Sequence, residues 1–163
     1  MIDVKESYNI DGIRLSDDNM YIPSDPMYFD EDRKPKWDEY IEYSDAFGFD
    51  VRHRFSDGGY IRKEVLPPGK RIIRFGNDIG SFTTDIGTDY SLLSLPYKKE
   101  SVPYHEYIVE KECEVLCYVD EGIVAPGFGS NGGAIQYRHY LSIYDSLRMG
   151  VLKEEFGWLN KKM

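Results

Sequence analysis

The stretch Tyr104-His105-Glu106-Tyr107-Ile108-Val109, running on toward Val119, sets the fold class. It contains no Gly or Pro and is rich in β-branched and aromatic residues, which reads as strand. Successive side chains of a strand point to opposite faces. His105, Tyr107 and Val109 therefore share one face, and Tyr104, Glu106 and Ile108 the other. Cys113 and Cys117 fall in the same region with matching parity. They face one side too far apart to bridge, and no His or second Cys pair gives zinc spacing, so both read as small buried hydrophobes.

Upstream, Pro67-Pro68-Gly69 is a turn into a second strand, Arg71-Ile72-Ile73-Arg74-Phe75. Gly76 to Gly87 reads as a loop or hairpin rich in Gly, Asp, Thr and Ser. Downstream, the glycine-rich run 125–133 leads into a short strand at Ala134-Ile135-Gln136-Tyr137. The end predicts a helix: Ser142 and Asp145 form a capping-box-like pair, Ile143, Leu147 and Val151 share a face, and Gly150 ends the turn. Residues 1–50 are acidic, rich in Tyr, and broken by Pro23, Pro26 and Pro35, with one short helix predicted over Lys36–Tyr43. The expectation is an α+β fold with a mostly antiparallel β core and short helices. It is a single domain over 51–163, preceded by a partly ordered arm or linker over 1–50.

Composition bounds the function. The chain has 163 residues, 41% hydrophobic and 30% charged, which excludes collagen-like and disordered classes. The longest uncharged stretch, Gly122 to Tyr137, is broken by Gly and Pro and shorter than the ~20 apolar residues of a spanning helix, so no membrane span is expected. With 20 basic and 29 acidic residues the net charge is −9, which argues against nucleic acid as a partner. The acid clusters from Asp30 to Asp45, either as a solvated face or as a docking surface for a basic partner. The first residues carry no apolar signal-peptide core.

Three polar residues stand out. Arg74, inside an apolar strand and next to Gly76, is either a surface arginine or a bidentate phosphate fork. His105, between tyrosines, is either a satisfied structural histidine or a proton donor or orienting group in a cleft. Gln136 draws no notice alone. His53 and His139 show no partner spacing and read as structural. The run 127–133 is neither a dinucleotide fingerprint nor a P-loop; it is either a flexible hairpin loop or a place where a flat ligand or its phosphates approach the backbone.

The order of the pieces is more specific than any one of them. Arg74-Phe75-Gly76, Gly80-Ser81-Phe82, Gly87-Thr88-Asp89-Tyr90 and Ser94-Leu95-Pro96 are followed by Pro103-Tyr104-His105-Glu106-Tyr107. Then come Val124-Ala125-Pro126-Gly127-Phe128-Gly129, Gly132-Gly133 and Ile135-Gln136-Tyr137. Over residues 67–153 this resembles the TNT domain of NAD(+) glycohydrolases, and Ser142 to Glu154 resembles the short terminal helix of these domains. Two positions depart from the family pattern: Leu93 stands where a second arginine is usual, and Gly127 where a tryptophan is usual.

The resemblance implies cleavage of NAD(+) or NADP(+), as substrate rather than cofactor, at the nicotinamide–ribose bond, with no metal and no separate cofactor. It implies Arg74, His105 and Gln136 as catalytic residues, Arg74 on the diphosphate. It implies Phe75, Gly76, Ser81, Phe82 and Phe128 around the substrate. It further implies a bacterial toxin effector, exported by a non-classical route to act in a target cell's cytoplasm, with a cognate immunity protein as partner. Two other readings stay open: a degenerate module that binds a ligand or partner without turnover, motivated by Leu93 and Gly127, and ADP-ribosyl transfer to a protein.

Overall fold

Seven strands pair antiparallel into one sheet in a computed structural model that describes residues 21–44, 47–111 and 118–157. They are β1 (Arg62–Val65), β2 (Arg71–Phe75), β3 (Phe82–Asp85), β4 (Tyr104–Val109), β5 (Tyr118–Ile123), β6 (Ile135–His139) and β7 (Leu152–Gly157). Their order across the sheet is β1-β5-β6-β3-β2-β4-β7. The described α-helices are both short, α1 (Trp37–Tyr40) and α2 (Ile143–Arg148). The architecture is the mostly antiparallel β fold with short helices that the strand patterns predict.

The four residues of β3 join the two halves of the sheet. Phe82 and Thr83 pair with Arg138 and Tyr137 of β6, whereas Thr84 and Asp85 pair with Ile73 and Ile72 of β2. Where the ladder leaves β6, side chains replace it. The Thr84 hydroxyl donates to the Ile135 carbonyl at 2.6 Å and the Tyr137 hydroxyl to Asp85 at 2.7 Å. One sheet face buries Ile72, Tyr107, Val109 and Tyr137 against Ile143 of α2. The parity expected of β4 holds, with Tyr107 and Val109 both buried on that face. Helix α2 starts where the sequence predicts, the Ser142 hydroxyl accepting the Asp145 N–H at 3.0 Å.

Two expectations need correction. The chain beyond α2 is not helical: Gly150 adopts φ 76°, and Leu152–Gly157 is edge strand β7, paired with β4. Leu152 enters the core and Lys153 faces solvent, the alternation of a half-buried strand. The long strand region also ends early, β4 stopping at Val109. Both cysteines lie outside the described residues.

Residues 21–44 and 47–50 pack along the glycine-rich loop. Ile41 bridges Gly127 and Phe49 bridges Val124. The Glu42 N–H donates to the Pro126 carbonyl and the Ala125 N–H to the Gly48 carbonyl, each at 2.8 Å. Phe128 sits in the centre of this contact, its ring buried among Tyr28, Trp37 and Tyr40 at centroid distances of 5.2, 5.3 and 5.8 Å. Gly127 is required by that closeness. A Cβ there would lie 2.4 Å from Ile41 Cδ1 and 2.7 Å from the Tyr40 carbonyl oxygen. The family's tryptophan has no room here.

Gly127→Ala is therefore expected to lose about 1–3 kcal/mol of stability, the usual cost of overpacking, and to speed amide exchange at Glu42 and Phe128. Urea denaturation and hydrogen exchange measure both; a variant as stable and as protected as wild type would contradict the packing role.

Candidate active site

A cleft of about 490 Å³ opens where the ends of β2, β3 and β6 meet the arm. That volume falls in the usual range of small-molecule sites. One wall is the end of β2 and the loop after it, through Arg74, Phe75, Gly76, Asn77, Ile79 and Gly80. A second is the segment Leu93 to Tyr97. A third is the arm, through Tyr21, Trp37, Ile41, Phe47 and Gly48. Phe82 and Gln136 add to the lining from β3 and β6, and Val102 and Val124 line it as well. Among the described lining residues Arg74 alone carries a charge, on a protein of net charge −9.

The loop after β2 is folded around the Arg74 guanidinium. Its Nε donates to the Asn77 carbonyl and its Nη1 to the Phe82 carbonyl, the latter at 3.0 Å. Gly76 and Gly80 leave room for the guanidinium: a Cβ would stand 2.9 Å from Nη2 at Gly76 and 2.2 Å at Gly80. The Asn77 side chain turns the loop by accepting the Ile79 N–H at 3.1 Å. The loop is then tied to the rest of the fold through Gly80 and Ser81, whose carbonyls accept the Ile143 and His139 N–H groups at 2.9 and 2.7 Å.

Of the residues that the sequence singled out, the structure brings Arg74, Phe75, Gly76, Phe82 and Gln136 to this one cleft. Phe75 stands edge-on to Tyr90 at 4.9 Å. Gln136 donates from Nε2 to the Phe47 carbonyl at 3.1 Å. Its Oε1 has no hydrogen-bond partner among the described residues.

Three others lie elsewhere. Ser81 contributes its backbone and does not line the cleft. Phe128, expected around the substrate, is not a lining residue; its ring packs against Tyr28, Trp37 and Tyr40 of the arm. His105 pairs with Arg74 across β2 and β4 but is not a lining residue. Its Nδ1 meets Glu154 of β7 at 2.7 Å and its ring stacks on Tyr107 at 5.8 Å. Glu154 reaches it only because Leu152–Gly157 pairs with β4 as an edge strand, where the sequence resembles a terminal helix.

Leu93 does line the cleft, so its departure from the family pattern replaces a charge with an apolar wall at the site itself. Arg71 does not compensate, because it is bonded to Glu155. Lys98 and Lys99 are not lining residues either. The arm residues were missed because nothing in a proline-broken acidic segment marks which of its aromatics fold back. No group of three or more His, Cys, Asp or Glu able to hold a metal ion occurs among the described residues.

The model of the family described as Tuberculosis necrotizing toxin (TNT) matches residues 65–154, more than half of the chain. The chain belongs to the TNT family. Its fold is similar to the solved structure of tuberculosis necrotizing toxin complexed with its immunity factor, at a TM-score of 0.50 and 19% identity, with 86% of each chain covered. More distant matches are Rhs1-CT in complex with its cognate immunity protein (TM-score 0.43, 19% identity, 60% of this chain and 79% of that one). Another is Tse6 in complex with Tsi6 (TM-score 0.44, 18% identity, 66% and 75%). No curated protein matches by sequence. The family match spans Arg74, Phe82 and Gln136 but none of the arm residues on the third wall.

Behind the TNT cleft, His139 is buried, with Nε2 2.7 Å from the Thr83 hydroxyl. Burial, and then the charge of Arg74, push its pKa down to about 3. It stays neutral at physiological pH and adds no second cation beside Arg74. The unfolded chain takes up this proton below about pH 6.5 while the native protein does not. Stability should thus be unaffected above pH 6.5 and fall as pH drops from 6.5 toward 3, by up to about 1.4 kcal/mol per pH unit from this residue. Urea denaturation at pH 7 and 4.5 should show a smaller acid loss for His139→Gln than for wild type; an equal loss in both would contradict a neutral buried imidazole.

Proposed function

We propose that the chain is an NAD(+) glycohydrolase that cleaves the nicotinamide–ribose bond, serving as a bacterial toxin effector. The observation that carries this reading is Arg74: a fixed guanidinium, the one charge among uncharged and largely apolar described lining residues, in the same cleft as the Gln136 side-chain amide. A dinucleotide offers matching chemistry, with a diphosphate for the guanidinium and flat rings for the walls.

In this reading the carbonyls of Asn77 and Phe82 hold the Arg74 guanidinium in place before substrate arrives. Such preorganised charge costs no reorganisation on binding. Phe75 and Phe82 flank the nicotinamide. The C1′–N bond breaks with its electron pair passing to the ring nitrogen, so cationic nicotinamide leaves as a neutral molecule without an acid to protonate it. Water adds to the resulting oxocarbenium and loses its proton to solvent, giving ADP-ribose. The absence of a carboxylate among the described lining residues suits this chemistry, because the paired acids of ordinary glycosidases serve chiefly to protonate a poor leaving group and activate water. Gln136 Oε1 accepts a hydrogen bond from the ribose or from that water. His105 is a positioning residue, fixing β4 to β7 through Glu154 beside Arg74. No cofactor is called for beyond the substrate itself.

The family's description and the solved complexes with immunity proteins support the toxin reading, with a cognate immunity protein as partner and action in a target cell's cytoplasm after export. Among the described residues no helix is long and apolar enough to cross a membrane. The rival reading, a module that binds without turnover, is favoured by Leu93 on the cleft wall.

Incubation with NAD(+) and chromatography of the products separates the readings. Free ADP-ribose supports hydrolysis, labelled protein indicates ADP-ribosyl transfer, and neither indicates binding alone; cyclic ADP-ribose as main product would also refute the proposal. Gln136→Ala should lower kcat at least tenfold without unfolding the chain. Arg74→Ala should raise KM strongly and lower kcat as well, because it also releases the loop that carries the nicotinamide wall. Arg74→Lys keeps charge but not the planar fork and should remain impaired. Leu93→Arg should lower KM. Unchanged kinetics in folded Arg74→Ala would remove the phosphate role.

A further inference from the structure

We propose that Phe47, on the arm and outside the family-matched segment, is the stacking platform for the adenine of the dinucleotide, with Arg138 beneath it selecting a neutral, electron-rich base. The inference rests on the dinucleotide reading of the cleft and names the part of the substrate that the arm recognises.

Phe47 lines the cleft yet is 57% exposed, so a large aromatic surface is presented to solvent at the cleft's edge. Its position is held from several directions. Ser44 bridges Asp50, closing the segment that carries it. Asp50 is buried, bonds the Asp50 N–H to the Ile123 carbonyl at 2.7 Å, and accepts from Arg52 Nε and Nη2 at 3.1 and 2.9 Å. Arg52 in turn lies over the Tyr43 ring at 3.7 Å. The Phe47 carbonyl receives Gln136 Nε2, and Phe47 itself takes φ 56°, a left-handed conformation uncommon for a residue with a side chain. A held, strained and exposed aromatic at a cleft is a reason to look for a ligand contact.

The chemistry of the ring selects the ligand. Arg138 lies on β6 two residues from Gln136, and its guanidinium carbon stands 3.7 Å from the Phe47 centroid. Arg138 Nη1 also pairs with Asp120 at 3.7 Å, which holds the guanidinium while its central carbon stands against the ring. A cation on one face uses the ring's negative π density. A second cation on the opposite face is then disfavoured by repulsion across the ring. Positively charged nicotinamide is therefore a poor occupant of the free face, whereas neutral adenine, whose stacking needs no charge, is a good one. Arg74 takes the diphosphate, and Phe75 and Phe82 the nicotinamide end of the same molecule.

The test compares Phe47→Ala and Phe47→Tyr with wild type, after thermal unfolding has shown that they fold. Calorimetry with AMP reads the adenine contact without any turnover. Phe47→Ala should weaken AMP binding about tenfold to a hundredfold, the range of a single base–aromatic stack, and Phe47→Tyr should restore most of it. In turnover, the kcat/KM ratio for NAD(+) over nicotinamide mononucleotide, which lacks adenine, should fall by a similar factor in Phe47→Ala. AMP binding that is absent in wild type, or equal in wild type and Phe47→Ala, overturns the proposal, as does an equal loss on both substrates. If AMP binding depends on Phe47 while NAD(+) is not cleaved, the hydrolase reading fails and the adenine contact stands. If Phe47→Ala does not fold, Arg138→Gln serves in its place: removal of the cation should raise the affinity of nicotinamide mononucleotide relative to AMP, and an unchanged ratio overturns the selection.

Discussion

The Arg74 guanidinium is the constraint on which the site depends. It accounts for two glycines, at positions where any Cβ would collide with it, and for a loop whose carbonyls turn inward to meet it. That loop links β2 to β3, and β3 alone joins the halves of the sheet. Through Gly80 and Ser81 it also sets the start of α2 and the end of β6. A charge at this point holds the loop and, in the proposed function, meets the ligand as well. Buried charges are tolerated when hydrogen-bonded, and the carbonyls that satisfy Arg74 also hold it still at the cleft.

The second constraint is the contact between arm and glycine-rich loop. Gly127 lets Ile41 come within backbone-pairing distance, and Phe128 fills the space beside it. The run 125–133, ambiguous as a phosphate cradle, is thus a packing surface: its missing Cβ atoms admit another part of the chain rather than a ligand. The departure from the family's tryptophan has the same cause. Ile41 and the Tyr40 carbonyl occupy the space beside Gly127, and the arm that carries them supplies the third wall of the cleft.

Strands β2, β4 and β6 and the start of α2 were legible because each carries a local signal: alternation, a flanking Pro-Gly turn, or a cap. Strand β7 was not, because Lys153, Glu154 and Glu155 are good helix formers and only pairing with β4 makes them a strand. The site divides the same way. Arg74, Phe75, Gly76, Phe82 and Gln136 were found through an ordered set of short motifs, and they do converge. His105 and Phe128 belong to those motifs too, but their neighbours Glu154 and Trp37 come from segments whose folding is decided by tertiary contact. The spacing of Trp37, Tyr40 and Ile41 marks the short helix α1 but not which wall it packs on. Phe47 carries no sequence signal at all, since aromatics in an acidic segment look alike until one is folded against a cleft.

Under the proposed dinucleotide reading, an acidic chain must offer an anionic ligand a local positive charge, and Arg74 is the charged residue among the described lining of the cleft. The acidic residues from Asp30 to Glu42 lie on the arm, and none of them lines the cleft. Exposed charges beyond about 8–10 Å are screened at physiological salt. Arg74 acts at contact, beside apolar and aromatic walls where water competes poorly and a Coulomb attraction is strongest. Neutral His139 matters for the same reason. A protonated imidazole behind Arg74 would strain the loop by repulsion. Its burial keeps one positive charge, not two, at the site, and that charge stays directed into the cleft.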